Sequence, residues 1–579
     1  MKTNPQEEHQ SDRRLYNVFF NTHTVSGIVI SIGLYVIFLA GAFALFQNNI
    51  NNWEINAPEK NISANLDYDR ILANVEKEGY DMYGRDFFVN IRPNNGTDLF
   101  VFANPPANRI SADSLSHWSS EDSLAYAEAT ERLDFIIDPV TYELSKPDTE
   151  NGGQQRIGRT LTRLHYFQQI PMAGIYLSGF VSLFFLFAVV TGVIVHWKKI
   201  VSNFFTFRIK SSIKNLWTDA HTALGVLGIP FQFMYAVTGT VFGLAVVLYP
   251  LVMLVFDDFN EATNILLPER KPYELLGAAD EQVAITPLVD QAFADLPMED
   301  VENWQVMLKS YGDENAHLVV SAYIDTNEDF AGKALSTYKL TDGTLVDQKA
   351  FSESSFATSS VEYFIQLHFG NFGGLFVQII YFILAVLTCF VIVSGVMIWL
   401  VAREKKIYAS KERFNQNMGA IYLGSCLGLY PAIALLFLAA KILPLDAANR
   451  FAILNWVFFG SWLVYTIYAY FIKSNFKINK HALLLAGAMG IAIPIVNGMV
   501  TGLWFWKSTA MGYPDSFLVD VGWLIMGALT LGAAFLSKPT HKTKTFAKKA
   551  EPALAQPEVS MVEEIQEPIL AAQAKGLTS

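Results

Sequence analysis

Long apolar runs alternate with polar segments along the whole chain, and this alternation predicts a polytopic α-helical membrane protein. Eight runs reach or approach the roughly 20 residues that a helix needs to cross the hydrocarbon core of a bilayer. They lie near residues 24–47, 171–196, 222–250, 373–402, 419–441, 450–472, 482–506 and 517–536. The first run has no small-residue cleavage signal at its end, so we interpret it as a retained span and not as a removed signal peptide.

Two long polar segments, 48–170 and 251–372, separate the first four runs, and each predicts a small α+β domain. In the first, "LDYDRILANVEKEG" has a helical pattern, and "DFFVNIRP", "DLFVFANP" and "DFIIDPVTYEL" alternate like strands. The second repeats that order: "AITPLVDQAFADL" predicts a helix, and "NWQVMLKSY", "AHLVVSAYI" and "LSTYKLTDGTLVDQ" predict strands, the last with an Asp-Gly turn.

The basic residues predict the orientation of the spans, because short cytoplasmic connections carry an excess of Lys and Arg. Every second connection is basic, beginning with Arg13 and Arg14 ahead of the first span. We therefore expect the cytoplasmic parts to be 1–23, 197–221, 403–418 and a disordered tail at 537–579. Residues 419–536 then form a separate membrane block of four helices, and membrane lipid surrounds both blocks.

Composition agrees with this reading and excludes some functions. Of the 579 residues, 52% are hydrophobic and only 17% are charged, which is too apolar for a soluble protein of this size. The net charge of −12 argues against nucleic acid as a partner. Cys389 and Cys426 both fall inside apolar runs, so no disulfide framework is expected.

An internal repeat relates the first four spans. His23 is followed by a glycine after four and after eighteen residues, and His221 is followed by glycines at the same offsets; these are Gly27, Gly41, Gly225 and Gly239. A Leu-His pair ends each polar segment, and from each of these histidines, His165 and His368, a glycine follows twenty-seven residues later. The first four spans are therefore two copies of one unit: span, outer domain, span.

Five of the ten histidines lie at the edges of these spans, where an ionisable residue points to function. The topology places His23, His196 and His221 at the cytoplasmic edge, and His165 and His368 at the outer edge. Nothing matches the short ligand spacings of zinc sites. A haem iron needs only one or two axial ligands, which facing helices of a four-helix bundle can supply. The other five histidines are interpreted as surface residues.

Neighbouring residues fit a haem site but leave alternatives open. Gly27 and Gly225 provide room for a flat macrocycle, although small residues also let membrane helices pack closely. His196 has no repeat partner, because Trp399 stands at the matching place. It is a third candidate ligand, a propionate partner or an electron entry point. Arg159 and Arg163 precede His165 and either pair with haem propionates or anchor the interface.

The stretches "TGVIVHWKKIVSNFFTFR" and "WTDAHTALGVLGIPFQFMYAVTG" resemble the PepSY-associated transmembrane proteins, often called iron-regulated membrane proteins. The resemblance covers residues 20 to about 405, the outer domains resemble PepSY modules, and the last four spans are similar to an extra block in some members. Some members are inner-membrane reductases that hold two b-type haems and reduce ferric siderophores in the periplasm. The ligand positions that this implies are His23, His165, His221 and His368, with His196 also matching a family histidine.

The resemblance therefore implies a dihaem b-type oxidoreductase of the bacterial inner membrane, acting on a ferric siderophore or another ferric chelate. Hydroxamate and catecholate oxygens hold Fe(III) better than Fe(II), so one electron loosens the iron without destroying the chelator. No GxGxxG turn follows a strand, so we expect a separate electron donor, either a quinol or a cytoplasmic reductase.

Two other classes of function are compatible with the sequence. In a transporter component, the histidines would relay protons, and Pro230 and Pro494 would break helices near the midplane. In a PepSY-based regulator or anchor, no cofactor would be present. Only the reductase requires stoichiometric haem.

Overall fold

The computed structural model describes residues 5–59, 66–91, 99–104, 132–145, 156–197, 200–205, 208, 213–254, 256, 258–295, 301–324, 333–349, 356–403 and 412–539. Almost the whole of the predicted cytoplasmic tail lies outside these ranges, as do parts of the basic connections 197–221 and 403–418.

Helices make up most of the described chain. In chain order they are α1 (Pro5–Ala44), α2 (Gln47–Ile55), α3 (Tyr68–Lys77), α4 (Ile157–His165), α5 (Gly174–His196), α6 (Ile200–Phe204), α7 (Ile213–Gly243), α8 (Ala245–Val252), α9 (Phe259–Leu266), α10 (Ile285–Ala294), α11 (Phe356–Phe369), α12 (Gly374–Ala402), α13 (Glu412–Ile442), α14 (Arg450–Ile472), α15 (Asn475–Thr501), α16 (Phe505–Ser508) and α17 (Pro514–Leu536). Short 3-10 turns occupy Pro268–Arg270, Asn371–Gly373 and Thr509–Met511.

Eight of these helices are long and apolar enough to cross a membrane, which confirms the predicted number of spans among the described residues. They are α1, α5, α7, α12, α13, α14, α15 and α17. Some of these helices begin or end at other residues than the apolar runs do, because capping interactions set the helix ends. The seventh span begins earlier than expected, because the Ser474 side chain accepts from the Lys477 N–H and caps the helix. It also ends earlier, at Thr501, because Gly502 takes a left-handed conformation with φ +77°.

The first four spans pack as a ring. α1 and α7 each pack against both α5 and α12, so α1 and α7 stand on opposite corners. Aromatic side chains fill the middle: the Phe38 ring lies 5.4 Å from Phe185 and 6.3 Å from Phe231, measured between centroids. Corresponding elements of the two repeat copies therefore face each other across one bundle axis.

The strands are β1 (Asp86–Ile91), β2 (Leu99–Asn104), β3 (Leu133–Ile137), β4 (Leu144–Ser145), β5 (Val301–Lys309), β6 (His317–Ile324), β7 (Lys333–Lys339) and β8 (Leu345–Lys349). They confirm the strands expected from the alternating stretches, but the expectation of two separate α+β domains is wrong. All eight belong to one antiparallel sheet in the order β4-β3-β2-β1-β5-β6-β7-β8. β1 pairs with β5, from Phe87 opposite Leu308 to Ile91 opposite Trp304. Each half alone would leave one long edge strand unpaired, and the two halves satisfy each other's backbone groups.

Helices α3 and α10 contact each other and share one apolar core with the sheet, in which Phe87, Val101 and Val306 are almost fully buried. An ion-pair cluster also ties the sheet to α11. Lys333 Nζ lies 2.7 Å from Glu269 Oε2 and 3.8 Å from Glu362 Oε1, and all three side chains are at most 7% exposed. The sheet is therefore fixed to the helix that ends just after His368.

The last four spans and α16 form the C-terminal block (α13–α17). Within it, α13 packs against α14 and α15, and α15 packs against α17. The block contacts the first bundle through α1 and α13, and it contacts α2 through α17.

Candidate functional site

His23 and His221 face each other at one end of the bundle, across the axis between α1 and α7. Their ring centroids are 6.2 Å apart, with ring planes at 71°. His23 Nδ1 lies 2.8 Å from the carbonyl oxygen of Ala188, and His221 Nδ1 lies 2.9 Å from that of Val391. Each imidazole is thus held by a helix of its own repeat copy, and the pair forms between copies. We call this end the far end, because it is remote from the sheet.

His165 and His368 form the second pair, at the end of the bundle next to the sheet, which we call the sheet end. Their ring centroids are 6.0 Å apart, with planes at 55°. His165 Nδ1 lies 2.8 Å from the Ile37 carbonyl oxygen. His368 Nδ1 lies 2.8 Å from the hydroxyl oxygen of Thr238. His23 and Ile37 are fourteen residues apart on one helix, so the two pairs are about 21 Å apart along the axis.

The hydrogen bonds at Nδ1 fix the tautomer of all four imidazoles. A carbonyl oxygen can only accept, so the Nδ1 atoms of His23, His165 and His221 carry the proton and donate. The hydroxyl of Thr238 donates its own hydrogen to the Met234 carbonyl at 2.9 Å, so it accepts from His368 in the same way. A neutral imidazole with its proton on Nδ1 has a free lone pair on Nε2. Burial lowers the pKa of His165, and burial with the neighbouring His165 lowers that of His368 to about 3, which agrees with neutral rings.

The spacing within each pair suits one metal ion between two imidazoles. A metal–imidazole bond is about 2 Å long and a ring nitrogen lies about 1 Å from its centroid, so ligands on opposite sides place their centroids about 6 Å apart. Both observed separations agree with that value. Among the described residues, no group of three or more His, Cys, Asp or Glu side chains is placed to hold a metal. The arrangement therefore suits a metal whose remaining ligands come from elsewhere, as a porphyrin provides.

Open space adjoins the far-end pair where the sequence predicted it. A Cβ atom on Gly27 would meet nothing within 4 Å, and one on Gly225 would meet only Val391, at 4.0 Å. All four imidazoles keep part of their surface accessible although helices surround them. These residues fit a flat macrocycle beside the rings.

Other glycines of the repeat make room for the histidines themselves. A Cβ on Gly192 would lie 3.1 Å from His23 Cε1, and one on Gly395 would lie 3.1 Å from His221 Cε1. A Cβ on Gly41 would lie 2.6 Å from His165 Nδ1. Gly192 and Gly395 are the glycines that follow His165 and His368 by twenty-seven residues. The repeated offset therefore marks the place on α5 and α12 where the far-end imidazole of the same copy packs.

The remaining candidates lie beside the pairs. His196 is close enough to His23 and His221 for their charges to interact, but His23 and His221 are the pair whose rings face each other. Arg159 is exposed and Arg163 half-buried on α4. Partial desolvation and the neighbouring Arg163 guanidinium lower the pKa of Arg159. Arg163 Nε is buried without a hydrogen-bond partner, so it is available to an anion.

Sequence reasoning missed the groups that orient the imidazoles. Ala188, Val391 and Ile37 act through backbone carbonyls, so their side chains give no signal. Thr238 gives a weak signal as a polar residue in an apolar run. His317, interpreted as a surface residue, is in fact 6% exposed and stacks on Tyr273 with centroids 3.9 Å apart.

The fold and the site define a class of protein: a multi-span membrane protein with an internal repeat and facing histidines at both ends of a helix ring. The chain belongs to the family described as PepSY-associated TM region, which it matches over residues 20–402. This confirms the family resemblance, and the match spans both repeat copies and ends before the C-terminal block. None of the curated proteins compared with the chain matches it.

Proposed function

We propose that the chain is a dihaem b-type oxidoreductase that passes electrons across the bacterial inner membrane to a ferric siderophore or another ferric chelate. The observation that carries this proposal is the pair of facing imidazoles at each end of the bundle, in which each ring is hydrogen-bonded at Nδ1 and therefore has its lone pair on Nε2. A regulatory anchor has no need of two such pairs.

In this function, His23 and His221 hold one haem b, and His165 and His368 hold the other. When bound, each haem supplies reversible one-electron transfer. The protein residues supply the rest: Ala188, Val391, Ile37 and Thr238 fix the tautomer and the ring orientation, which raises the basicity of each ligand.

The charges at the sheet end suit an anionic group. Arg159 and Arg163 lie on α4, four residues apart and therefore on one face. Their equivalents in the second copy, counted back from His368, are Glu362 and Gln366, and the Glu362 carboxylate lies beside Lys333. Positive charge is thus concentrated on the first copy, where a propionate or an acidic chelate would be attracted.

The proposed direction of transfer rests on the predicted topology. The sheet-end pair lies at the same end of the bundle as the sheet, on the side that the basic connections predict to be periplasmic. Electrons enter at the far end, near His196, from a quinol or a cytoplasmic reductase, and leave at the sheet end to Fe(III). Reduction to Fe(II) weakens its bonds to hard oxygen donors and releases the iron.

The first test is a dithionite-reduced minus oxidised visible spectrum of the detergent-purified protein, with haem quantified per chain. We expect two low-spin b-type haems, of which one is lost in His165→Ala and in His368→Ala. Reoxidation by a ferric hydroxamate, followed in the same cuvette, then tests the substrate.

Absence of haem after expression with ample haem supply would overturn the proposal. The transporter component and the PepSY-based regulator would then be the functions to test. Two haems that no ferric chelate reoxidises would retain the cofactor and refute the substrate.

A further inference from the structure

We infer that the C-terminal block is a brace that positions the helix carrying His165, and that Glu54 and Arg450 are its positioning residues. The link between them is α2, the short helix that follows the first span. α2 packs against α17 of the C-terminal block and against α4.

A buried ion pair joins the block to α4. Glu54 is 1% exposed and Arg450 is 5% exposed, and Arg450 NH1 donates to Glu54 Oε1. The other oxygen, Glu54 Oε2, accepts the backbone N–H of Ile157 at 2.8 Å. Ile157 is the first residue of α4, and the N–H groups of a first helical turn have no partner inside their own helix. Glu54 therefore caps α4 from another element, and its negative charge lies at the helix N-terminus, where it is favourable.

A close backbone contact also holds α4 against α2. A Cβ atom on Gly158 would lie 2.5 Å from Asn51 Oδ1 and 2.6 Å from the carbonyl oxygen of Gln47. A larger residue would clash with the Gln47 carbonyl oxygen, so the glycine at 158 allows α2 and α4 to pack this closely.

On its other side, α2 is bound to the C-terminal block by hydrogen bonds and ring contacts. Trp53 is fully buried and donates from Nε1 to Asp520 Oδ1 at 2.8 Å. Asp520 Oδ2 accepts from Asn497 Nδ2 at 2.7 Å. Lys441 donates to the Trp53 carbonyl and to Asn56 Oδ1, and its Nζ lies 4.2 Å from the centroid of the Trp53 ring. Both oxygens of Asp520 are engaged within the protein, as a joint between elements requires.

The brace reaches the site because α4 is short. Its nine residues are too few for a stable helix in isolation, so its position depends on its packing against α1 and α2 and on the groups that hold its two ends. Glu54 holds the first residue, and the bond from His165 Nδ1 to the Ile37 carbonyl holds the last. Arg159 and Arg163 lie between them. Loss of the cap should therefore loosen His165 and both arginines together.

The test is hydrogen–deuterium exchange of the full-length protein in detergent, read at residues 157–165. Glu54→Ala removes the cap and is expected to speed exchange there about tenfold. Glu54→Gln keeps an oxygen for the Ile157 N–H and should retain most of the protection. Gly158→Ala tests the joint without altering a buried charge and should also speed exchange. The control is Tyr468→Phe, which removes a hydrogen bond to His481 within the same block and should leave this segment unchanged.

The part of the inference that concerns the haem rests on the proposed function, and a second readout separates the two. In Glu54→Ala and Arg450→Met, the reduced-minus-oxidised signature and potential of one haem should shift, while those of the other stay constant. A protein without haem would refute the proposed function, and the exchange data would still decide on the brace. Unchanged exchange at 157–165 in both Glu54→Ala and Gly158→Ala would overturn the brace, whatever the haem content.

Discussion

The backbone carbonyls of Ala188 and Val391 accept equivalent hydrogen bonds, from His23 at 2.8 Å and from His221 at 2.9 Å. Their separation is 391 − 188 = 203 residues, equal to that between His165 and His368, 368 − 165 = 203. The repeat thus includes the backbone acceptors as well as the histidines. At the sheet end the copies differ, because a carbonyl holds His165 and a threonine hydroxyl holds His368. Under the proposed function, we expect the haems at the two ends to differ in potential, since second-shell hydrogen bonds tune a metal site.

His196→Ala is predicted to retain both haems, because His23 and His221 are the residues whose rings face each other. His23→Ala, His221→Ala and the double variant should each lose the same single haem, since both histidines serve one site. Haem content and the low-spin visible spectrum of the four purified variants check this. Loss of a haem in His196→Ala, with retention in His23→Ala, would assign the ligand to His196 instead.

Gly27→Leu is predicted to halve the haem content. A leucine at this position would occupy the open space one turn from His23, whereas glycine leaves it free. Gly460→Leu is the matched control, because a Cβ on that glycine also meets nothing within 4 Å and α14 contributes no histidine to either pair. Equal haem content in both variants would show that the space beside Gly27 is not used.

Gly41→Ala is predicted to disturb only the sheet-end site. Its Cβ would lie 2.6 Å from His165 Nδ1, so the imidazole must move and lose its bond to Ile37. The cost should be about 1–3 kcal/mol of stability, as for other overpacked positions. Gly33→Ala on the same helix is the control, since its nearest neighbours lie at an ordinary 3.5 Å. A potential titration that resolves the two haems should show one shifted wave in Gly41→Ala and none in Gly33→Ala.

Glu362→Gln is predicted to stabilise the protein increasingly as pH rises. Burial raises the pKa of Glu362 above its ordinary 4.5, Lys333 opposes this shift and Glu269 adds to it. The folded state therefore binds the proton more tightly than the unfolded chain, and the wild type loses stability as pH rises through the raised pKa. The gain in the variant should be absent near pH 4 and on the order of 1 kcal/mol at pH 8. Thermal unfolding at the two pH values measures it.

Lys333→Met tests the same ion-pair cluster by removing the cation instead of a carboxylate. It leaves Glu269 and Glu362 buried without the ammonium, so it should destabilise the protein more at pH 8 than near pH 4. A stability change in Glu362→Gln that does not depend on pH would contradict the assignment of a buried, ionised carboxylate.

The internal repeat and the membrane spans could be predicted from the sequence. The spans, the strands and the four histidines at the bundle ends follow from hydropathy, alternation and equal spacing, because these patterns are written in side chains. It did not predict that β1 and β5 pair, since the two strands are more than two hundred residues apart and each reads as the strand of its own domain. The contacts of the brace could not be predicted from the sequence either. Glu54, Lys441, Arg450 and Asp520 lie in four different elements, and only tertiary packing shows that they meet.

The joined sheet has a consequence for how the two repeat copies depend on each other. Antiparallel pairing of β1 with β5 is compatible with a two-fold axis between the strands, and both histidine pairs also form between the copies. One copy alone would have an unpaired strand edge and half of each site. Such a half would be complete only as a symmetric homodimer, and the present chain joins two such halves in one polypeptide.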